Sequence, residues 1–207
     1  MTSSAPTTEF ERWQQRFAQP GYLFGTAPNA FLKSKASLLR REGRALAIAD
    51  GEGRNGVFLA EQGLDVLSVD YSPLAQAKAQ KLAAERGVTL RTEQADMTTW
   101  SWEPEAYDVV AAIFIQFATP PERAAIFAGI KRTLKPGGLL LMQGYRPKQL
   151  EYKTGGPPNA DHLYTREMLQ SAFADFSTLE IVEHDSEIEE GAGHAGMSAL
   201  IDVVGRK

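Results

Sequence analysis

The amino-acid sequence predicts an α/β protein in which helices cover both faces of a mostly parallel sheet. From Ala45 onward, short apolar segments alternate with longer segments of helical periodicity, which is typical of parallel βαβ units. The run from Leu139 to Met142 is apolar at consecutive positions, as expected for a strand covered on both faces. The sheet is therefore predicted to be doubly wound.

The region before the sheet is predicted to be helical. Residues 1–8 show no apolar periodicity and are expected to form a flexible tail. Aromatic residues then recur at helical spacing until Pro20, which predicts a short amphipathic helix. These residues are Phe10, Trp13 and Phe17. An aromatic loop at residues 22–25 and a second helix over residues 28–39 follow, so that residues 9–43 are predicted to form N-terminal helices and a lid.

The α/β core is predicted to span residues 44–207. Its first five strands are predicted at residues 45–49, 65–69, 88–92, 109–113 and 139–143. Helices are predicted at residues 54–62, 73–86, 121–134 and 165–174, with Gly or Pro near several of their ends.

Two strand-like segments at residues 179–188 and 197–204 end the chain. The connection between them is too short for the crossover that parallel strands need, so an antiparallel hairpin at the sheet edge is predicted. Glu189 and Glu190 are expected to be a solvated strand end.

Length and composition favour one globular domain over residues 1–207. With 26 acidic and 22 basic residues the net charge is −4, so a nucleic-acid partner is not expected. The absence of cysteine excludes disulfides and thiolate metal ligands, and no metal is expected. No segment approaches the roughly 20 apolar residues of a membrane span, so a cytoplasmic protein without a membrane partner is expected. The sequence leaves a monomer and a homodimer open.

A glycine-rich turn follows the first predicted strand. Gly51, Gly53 and Gly56 have the spacing of a nucleotide-binding turn that opens a helix, and Asp70 stands 19 positions after Gly51 at the end of the next strand. Glycines let the backbone approach an adenosine ligand, and the acid accepts hydrogen bonds from its ribose. This pattern serves both NAD and S-adenosylmethionine. The carboxylate of Glu52 inside the turn is expected to repel a pyrophosphate, which favours S-adenosylmethionine.

These motifs resemble class I S-adenosylmethionine-dependent methyltransferases with a Rossmann-like sheet. The resemblance is carried by residues 46–72, by Asp96-Met97 and by residues 134–139. A narrower resemblance, to the tellurite-resistance-type (TehB-like) branch related to thiopurine methyltransferases, rests on Tyr22-Leu23-Phe24-Gly25 with Pro28-Asn29 and on Gly51-Glu52-Gly53-Arg54-Asn55. The sequence departs from the family at Ala47 and Ala49, which occupy the places of the usual acid and glycine, and Asp50 is the expected substitute for that acid.

The resemblance implies where the cofactor lies. Its methionine part would lie over Gly51 and Gly53, its ribose on Asp70, and its adenine between Tyr71 and Met97, two residues for which core packing is an equal alternative. The residues predicted to contact S-adenosylmethionine, or the product S-adenosylhomocysteine, are Tyr22, Phe24, Asp50, Gly51, Glu52, Gly53, Arg54, Asn55, Asp70, Tyr71, Ser72, Asp96, Met97, Ile113 and Gln116.

Four residues outside the glycine motif are candidates for the acceptor side. Tyr22 and Phe24 are predicted to form a lid over the sulfonium, with simple packing as the alternative. Arg146, after the fifth strand, is predicted to hold an anionic acceptor, unless it is merely solvated. His194, in the glycine-rich connection of the hairpin, is a candidate base, although a lone loop histidine is more often a surface residue. Tyr22, Arg146 and His194 are thus the catalytic candidates.

The sequence therefore predicts a methyltransferase that acts on a small molecule, of the detoxification type with a thiol or a metalloid or chalcogen oxyanion as acceptor. Two alternatives stay open. One is a regulatory module that binds the cofactor without turnover, and the other is a nicotinamide-dependent oxidoreductase.

Overall fold

The computed structural model describes residues 8–191 and 193–207. Most of the predicted flexible tail, residues 1–7, lies outside the described residues. Thr8, which was included in that tail, is the N-cap of the N-terminal helix. Its side chain accepts a hydrogen bond from the backbone N–H of Glu11, and the Glu11 carboxylate accepts one from the Thr8 N–H. This capping box fixes where the helix begins.

The described residues form one seven-stranded sheet. Its strands are β1 (Arg44–Ile48), β2 (Asp65–Asp70), β3 (Arg91–Gln94), β4 (Tyr107–Ile113), β5 (Leu134–Tyr145), β6 (Thr178–Glu189) and β7 (Ala195–Arg206). They lie in the order β3-β2-β1-β4-β5-β7-β6, and the first five are parallel. β7 is antiparallel to both β5 and β6. The predicted Rossmann-like sheet with a C-terminal hairpin is confirmed, and β6 rather than the last strand is the edge.

Helices connect the strands and precede the sheet. They are α1 (Glu9–Phe17), α2 (Ala30–Ser34), α3 (Arg54–Glu61), α4 (Pro73–Glu85), α5 (Pro120–Thr133), α6 (Gln149–Tyr152) and α7 (Arg166–Ala172). Short 3₁₀ turns cover Ala36–Leu38 and Ala160–His162. The helix predicted over residues 28–39 is thus interrupted, since α2 ends at Ser34. α6 was not predicted.

The third strand begins three residues later than predicted because the preceding helix uses part of that segment for its cap. Gly87 adopts a left-handed conformation with φ of 68°. The N–H groups of Gly87 and Val88 donate to the carbonyls of Ala84 and Ala83. This closes the end of α4 and leaves Val88 unavailable for a strand.

Two apolar layers cover the sheet. Alternate residues of β1 point to opposite faces, so that Leu46 and Ile48 pack in one cluster while Ala45 and Ala47 pack in the other. Both layers are fully buried, which confirms the doubly wound arrangement. The strand order reverses between β1 and β4, and the carboxyl ends of parallel strands at such a switch point form a ligand-binding crevice.

Within residues 8–191 and 193–207, no helix is both long and apolar enough to traverse a bilayer. The same residues contain no group of three or more His, Asp or Glu side chains suited to holding a metal ion.

Candidate functional site

A cavity of about 1300 Å³ opens at the carboxyl ends of β1, β2 and β4. Helix α1 covers it from one side, and the loop at residues 155–162 and the turn of the β6–β7 hairpin close it from the other. Most of the residues predicted to contact a cofactor line this cavity. They are Phe24, Asp50, Gly51, Arg54, Asn55, Asp70, Tyr71, Asp96, Met97, Ile113 and Gln116. Their individual roles stay predictions.

Asp70 is held at the end of β2 by backbone N–H groups. Its two carboxylate oxygens accept hydrogen bonds from Gly51 and Ser72, each at 2.9 Å. Burial raises the pKa of Asp70, and these backbone N–H groups oppose the shift. The carboxylate is thereby fixed in position beside the glycine turn, with lone pairs left for the hydroxyl groups of a ligand.

Asp50 lies beneath the same turn and braces it. Its carboxylate accepts hydrogen bonds from the Ser68 hydroxyl at 2.8 Å and from the Gly56 N–H at 3.1 Å. The residue is partly buried, but its carboxyl group is enclosed, and this burial raises its pKa to about 7. Ala49 before it adopts a left-handed conformation with φ of 47°, where a glycine would be unstrained. Asp50 therefore ties β1, β2 and α3 together in the absence of an acid at Ala47.

Glu52 does not line the cavity, and its contact with the cofactor stays a prediction. Its carboxylate forms an ion pair with Lys78 at 2.7 Å and accepts a hydrogen bond from the Leu23 N–H at 2.6 Å. The side chain thus fastens the N-terminal segment to α4. Because this charge is paired with Lys78, it gives little support to the argument that Glu52 repels a pyrophosphate.

Gly53, Ser72 and Tyr22 also lie outside the cavity lining, and their cofactor contacts stay predictions. A Cβ atom on Gly53 would come within 2.4 Å of the Ala79 Cβ, so the glycine serves the close approach of α4. Ser72 caps α4 by accepting from the Ala75 N–H at 3.2 Å. The Tyr22 hydroxyl donates to the Lys78 carbonyl at 3.3 Å. Of the two predicted lid aromatics, only Phe24 faces the cavity.

Arg146 is also placed away from the cavity. Its guanidinium donates to the Leu200 carbonyl at 3.2 Å and forms an ion pair with Asp185. The guanidinium is thus engaged by β7 and β6, and its predicted role in holding an anionic acceptor stays a prediction. The arginines that line the cavity are Arg12 and Arg16, which the sequence did not single out, and Arg54. Arg16 stacks over the Trp13 ring, with 4.4 Å between the guanidinium carbon and the ring centroid.

The polar side chain of Gln116 fixes the wall opposite Asp70. Its amide nitrogen donates to the carbonyls of Tyr145 and His162, and its amide oxygen accepts from the Tyr145 N–H at 2.6 Å. Gln116 therefore joins the ends of β4 and β5 to the loop that carries His162. Sequence analysis identified Gln116 but gave no reason to connect it with Tyr145.

An aromatic cluster around His194 forms the other end of the cavity. The imidazole ring lies with its centroid 4.4 Å from Phe24, 4.4 Å from Phe114 and 5.8 Å from Tyr145. Burial, together with the positive charges of Arg54 and Arg16, lowers the pKa of His194 to about 3. The imidazole is therefore neutral at physiological pH. The structure brings His194 to the cavity, but it makes the ring a weak base.

A buried ion pair stands behind this cluster. Arg54 and Glu190 are joined at 2.6 Å, with side chains only 7% and 9% exposed. The Glu190 carboxylate also accepts hydrogen bonds from the side-chain amide of Asn29 and from the Ala30 N–H, both at 3.0 Å. The expectation that Glu190 is a solvated strand end is wrong, because α2 and α3 cover it. Glu189 beside it is exposed.

Comparison with known proteins identifies the middle of the chain. Residues 45–138 match the family described as methyltransferase domain. A glycine/sarcosine N-methyltransferase of Halorhodospira halochloris is 33% identical over 106 residues, which are 48% of this chain and 38% of the relative. Hemagglutinin 1 of Eikenella corrodens is 34% identical over 103 residues, which are 48% of this chain and 33% of the relative. The chain thus spans less than half the length of these curated relatives.

Solved structures share the fold over most of the chain. TehB from Haemophilus influenzae has a TM-score of 0.72 at 19% identity, covering 88% of this chain and 63% of TehB. The N-methyltransferase NodS from Bradyrhizobium japonicum, in complex with S-adenosyl-L-homocysteine, has a TM-score of 0.67 at 14% identity. The match covers 96% of this chain and 97% of NodS. At these identities the likeness is one of fold.

Residues 45–138 thus match a methyltransferase domain. The strand order and the contact between Gly51 and Asp70 agree with the predicted class I S-adenosylmethionine-dependent methyltransferase fold. The likeness to TehB does not extend to a specific branch of that class.

Proposed function

We propose that the protein transfers a methyl group from S-adenosylmethionine to a small molecule that is, at the reacting atom, a thiol or a metalloid or chalcogen oxyanion. The observation that carries this proposal is the division of one cavity into two ends of opposite charge. Asp70 and Asp96 lie near Tyr71 at one end, where Arg12 is paired with Glu9. Arg16 and Arg54 lie near the Phe24 ring, at the end that holds the aromatic cluster. A cationic donor and an anionic acceptor suit these two ends.

The residues at the acidic end fit the cofactor. The Asp70 carboxylate, held beside the open backbone of Gly51, suits the ribose hydroxyls. Tyr71 and the buried Met97 offer apolar surface for the adenine, and Asp96 offers an acceptor for its amino group. S-adenosylmethionine supplies, when bound, a methyl group on a sulfonium sulfur, which becomes a neutral thioether as the acceptor's lone pair forms the new bond to carbon.

The side chains of the aromatic end bind and orient the acceptor. Phe24 and Phe114 give the cavity an apolar lining beside His194, against which an acceptor can be aligned. Such alignment supplies much of the rate enhancement in a displacement of this kind. Because the neutral His194 has a pKa of about 3, it is poorly matched to removing a proton near neutral pH. An acceptor that arrives already ionised, as a thiolate or an oxyanion does, is therefore favoured.

Binding of the cofactor is the first test. Mass spectrometry of the purified protein should detect S-adenosylhomocysteine, and calorimetry should show binding of S-adenosylmethionine. Asp70→Asn should weaken binding by at least tenfold, because a charged hydrogen bond contributes about 1.5–3 kcal/mol. Asp65→Asn, at the exposed start of the same strand and paired with Arg91, is the matched control and should bind normally. No binding at millimolar cofactor would refute the proposal.

Turnover is the second test. Methyl release should occur with a thiol or with selenite or tellurite, and amines and alcohols should react more slowly. Binding of the cofactor with no product across this panel would favour the regulatory alternative, to which the departures at Ala47 and Ala49 also point. A thermal shift with NAD but none with S-adenosylmethionine would favour the oxidoreductase, against which the methyltransferase match already weighs.

A further inference from the structure

Three buried polar atoms at the aromatic end have no hydrogen-bond partner among the described residues. They are the Arg54 Nη1, the Tyr145 hydroxyl and the His194 Nδ1, and all three residues line the cavity. Buried polar atoms without partners are rare in folded proteins, and each one costs free energy when it is left unpaired. Three unpaired polar atoms beside one cavity indicate a site at which a ligand supplies the missing hydrogen-bond partners.

These atoms are held on a fixed support. Arg54 is anchored through its other terminal nitrogen to Glu190, which is itself bound by Asn29. The Tyr145 backbone is held on both sides by Gln116, and its ring stacks on Phe114 with centroids 4.7 Å apart. Donors that are already in place lose little entropy when they bind a ligand.

The charge of this wall is positive. Glu190 neutralises Arg54, and His194 is uncharged near neutral pH. Arg16 has no carboxylate within 4.0 Å among the described residues, and Glu9 is the acid whose charge acts on it. One uncompensated positive charge with two free donors suits a single anionic group with two acceptor oxygens.

The shape of the wall is apolar and aromatic. The rings of Trp13, Phe24 and Phe114 face the cavity beside these donors. The cavity of about 1300 Å³ exceeds the roughly 1,000 Å³ upper range of a pocket for one small ligand, so an organic acceptor fits beside a cofactor. An inorganic oxyanion would leave this apolar surface unused.

We propose that the aromatic end binds the carboxylate of an aromatic acid, with the Arg54 Nη1 and the Tyr145 hydroxyl donating to its oxygens and its ring packed against Phe24 and Phe114. This inference rests on the proposed methyl transfer and narrows the acceptor to an organic aromatic acid that carries the reacting thiol elsewhere on the molecule. The carboxylate serves binding, and the thiolate sulfur forms the new bond to the methyl carbon as the C–S bond of the sulfonium breaks. Glu190 acts as a positioning residue because it fixes the orientation of the Arg54 guanidinium.

Benzoate is the simplest probe of this site. Calorimetry on protein saturated with S-adenosylhomocysteine should show saturable binding of benzoate and at least tenfold weaker binding of benzamide, which lacks the charge, and of acetate, which lacks the ring. His194 offers a second readout by NMR titration. Its pKa should rise when benzoate binds, because a bound anion stabilises the imidazolium.

Two conservative variants separate this role from a structural one. Tyr145→Phe removes a hydroxyl without a partner among the described residues and should weaken benzoate binding about tenfold at unchanged melting temperature. Arg54→Lys keeps the charge but loses the second donor, so it should also weaken binding about tenfold. Tyr107→Phe, a buried tyrosine outside the cavity, and Arg44→Lys, paired with Glu103, are the matched controls and should bind benzoate normally.

The failures of this inference and of the proposed function are distinguishable. Binding of S-adenosylhomocysteine without binding of benzoate at millimolar concentration would overturn the inference and leave the methyl transfer standing. The inference would also be overturned if benzamide binds as tightly as benzoate, or if Tyr145→Phe and Arg54→Lys bind benzoate like the wild type. Binding of selenite at this site in place of benzoate would overturn it too. Failure to bind S-adenosylhomocysteine would overturn the proposed function itself.

Discussion

Substitution of Asp50 should change how the stability of the protein depends on pH. The enclosed carboxyl group has its pKa raised from 3.8 to about 7, chiefly by burial, so the folded protein retains a proton that the unfolded chain releases. Its folded pKa is above its unfolded value, so unfolding releases a proton between pH 4 and pH 7. The free energy of unfolding therefore falls as pH rises through that window.

The magnitude follows from the shift. At about 1.36 kcal/mol per pKa unit, a shift from 3.8 to about 7 amounts to about 4 kcal/mol between the two ends of the window. Asp50→Asn keeps the shape of the side chain and an oxygen that accepts from Gly56, while its amide can donate to the Ser68 hydroxyl. The difference in unfolding free energy, variant minus wild type, should therefore rise by about 1.4 kcal/mol per unit from pH 4 to pH 7 and then level off.

Urea unfolding at fixed pH values from 4 to 9 measures this difference. Asp65→Asn, in which an exposed carboxylate is removed, is the control and should give a nearly flat difference curve. A difference between Asp50→Asn and wild type that is constant from pH 4 to pH 8 would refute the reasoning, because it would mean that the carboxyl titrates alike in the folded and unfolded chains.

Three further predictions concern the turn and the aromatic end. The pKa of His194 is lowered from 6.5 to about 3, so the free energy of unfolding should fall as pH falls below 6.5. His194→Phe should remove about 2 kcal/mol of this loss at pH 5, measured by urea unfolding at several acid pH values. The same loss of stability at low pH in variant and wild type would contradict the prediction. Ala49→Gly should stabilise the protein by about 0.5 kcal/mol in urea melts, because relief of the left-handed strain exceeds the added unfolded-state entropy; destabilisation would show that the alanine is unstrained. Glu190→Gln should lower the free energy of unfolding by about 3 kcal/mol, because it leaves Arg54 buried without a counter-charge. Glu189→Gln, at the exposed neighbouring position, should change stability little, and equal effects of the two substitutions would contradict the role of the buried ion pair.

The sheet was predictable from the sequence because each strand is a local signal. The continuous apolar runs of β1, β4 and β5 follow directly from burial on both faces, and the short connection between β6 and β7 left only an antiparallel arrangement. The start of β3 was mispredicted because a helix cap uses residues that look like part of a strand. Val88 is apolar like a strand residue, but the αL conformation of Gly87 commits it to the end of α4.

The candidate site was predictable only where adjacency along the chain implies adjacency in space. Gly51 and Asp70 end neighbouring parallel strands, so their meeting follows from the motif. Position at a strand end alone does not tell which face of the sheet a side chain takes. Arg146 was expected at the ligand-binding edge, but it pairs with Asp185. Tyr145, one residue earlier, faces the cavity, and the period of two along a strand is the signal that would have separated these neighbours.

The acceptor end was not predictable, because its parts come from three segments far apart in sequence. Asn29 precedes α2, Arg54 opens α3, and Glu190 lies in the turn of the C-terminal hairpin, yet their hydrogen bonds form one buried network. A buried charge is tolerated only when its partner is present, so Arg54 can occupy this wall only after the hairpin has packed against α2 and α3. The proposed acceptor site thus depends on the packing of the C-terminal hairpin, whereas the contact between Gly51 and Asp70 needs only β1 and β2. We therefore expect loss of the hairpin contact in Glu190→Gln to weaken acceptor binding more than cofactor binding, which calorimetry with benzoate and with S-adenosylhomocysteine measures separately.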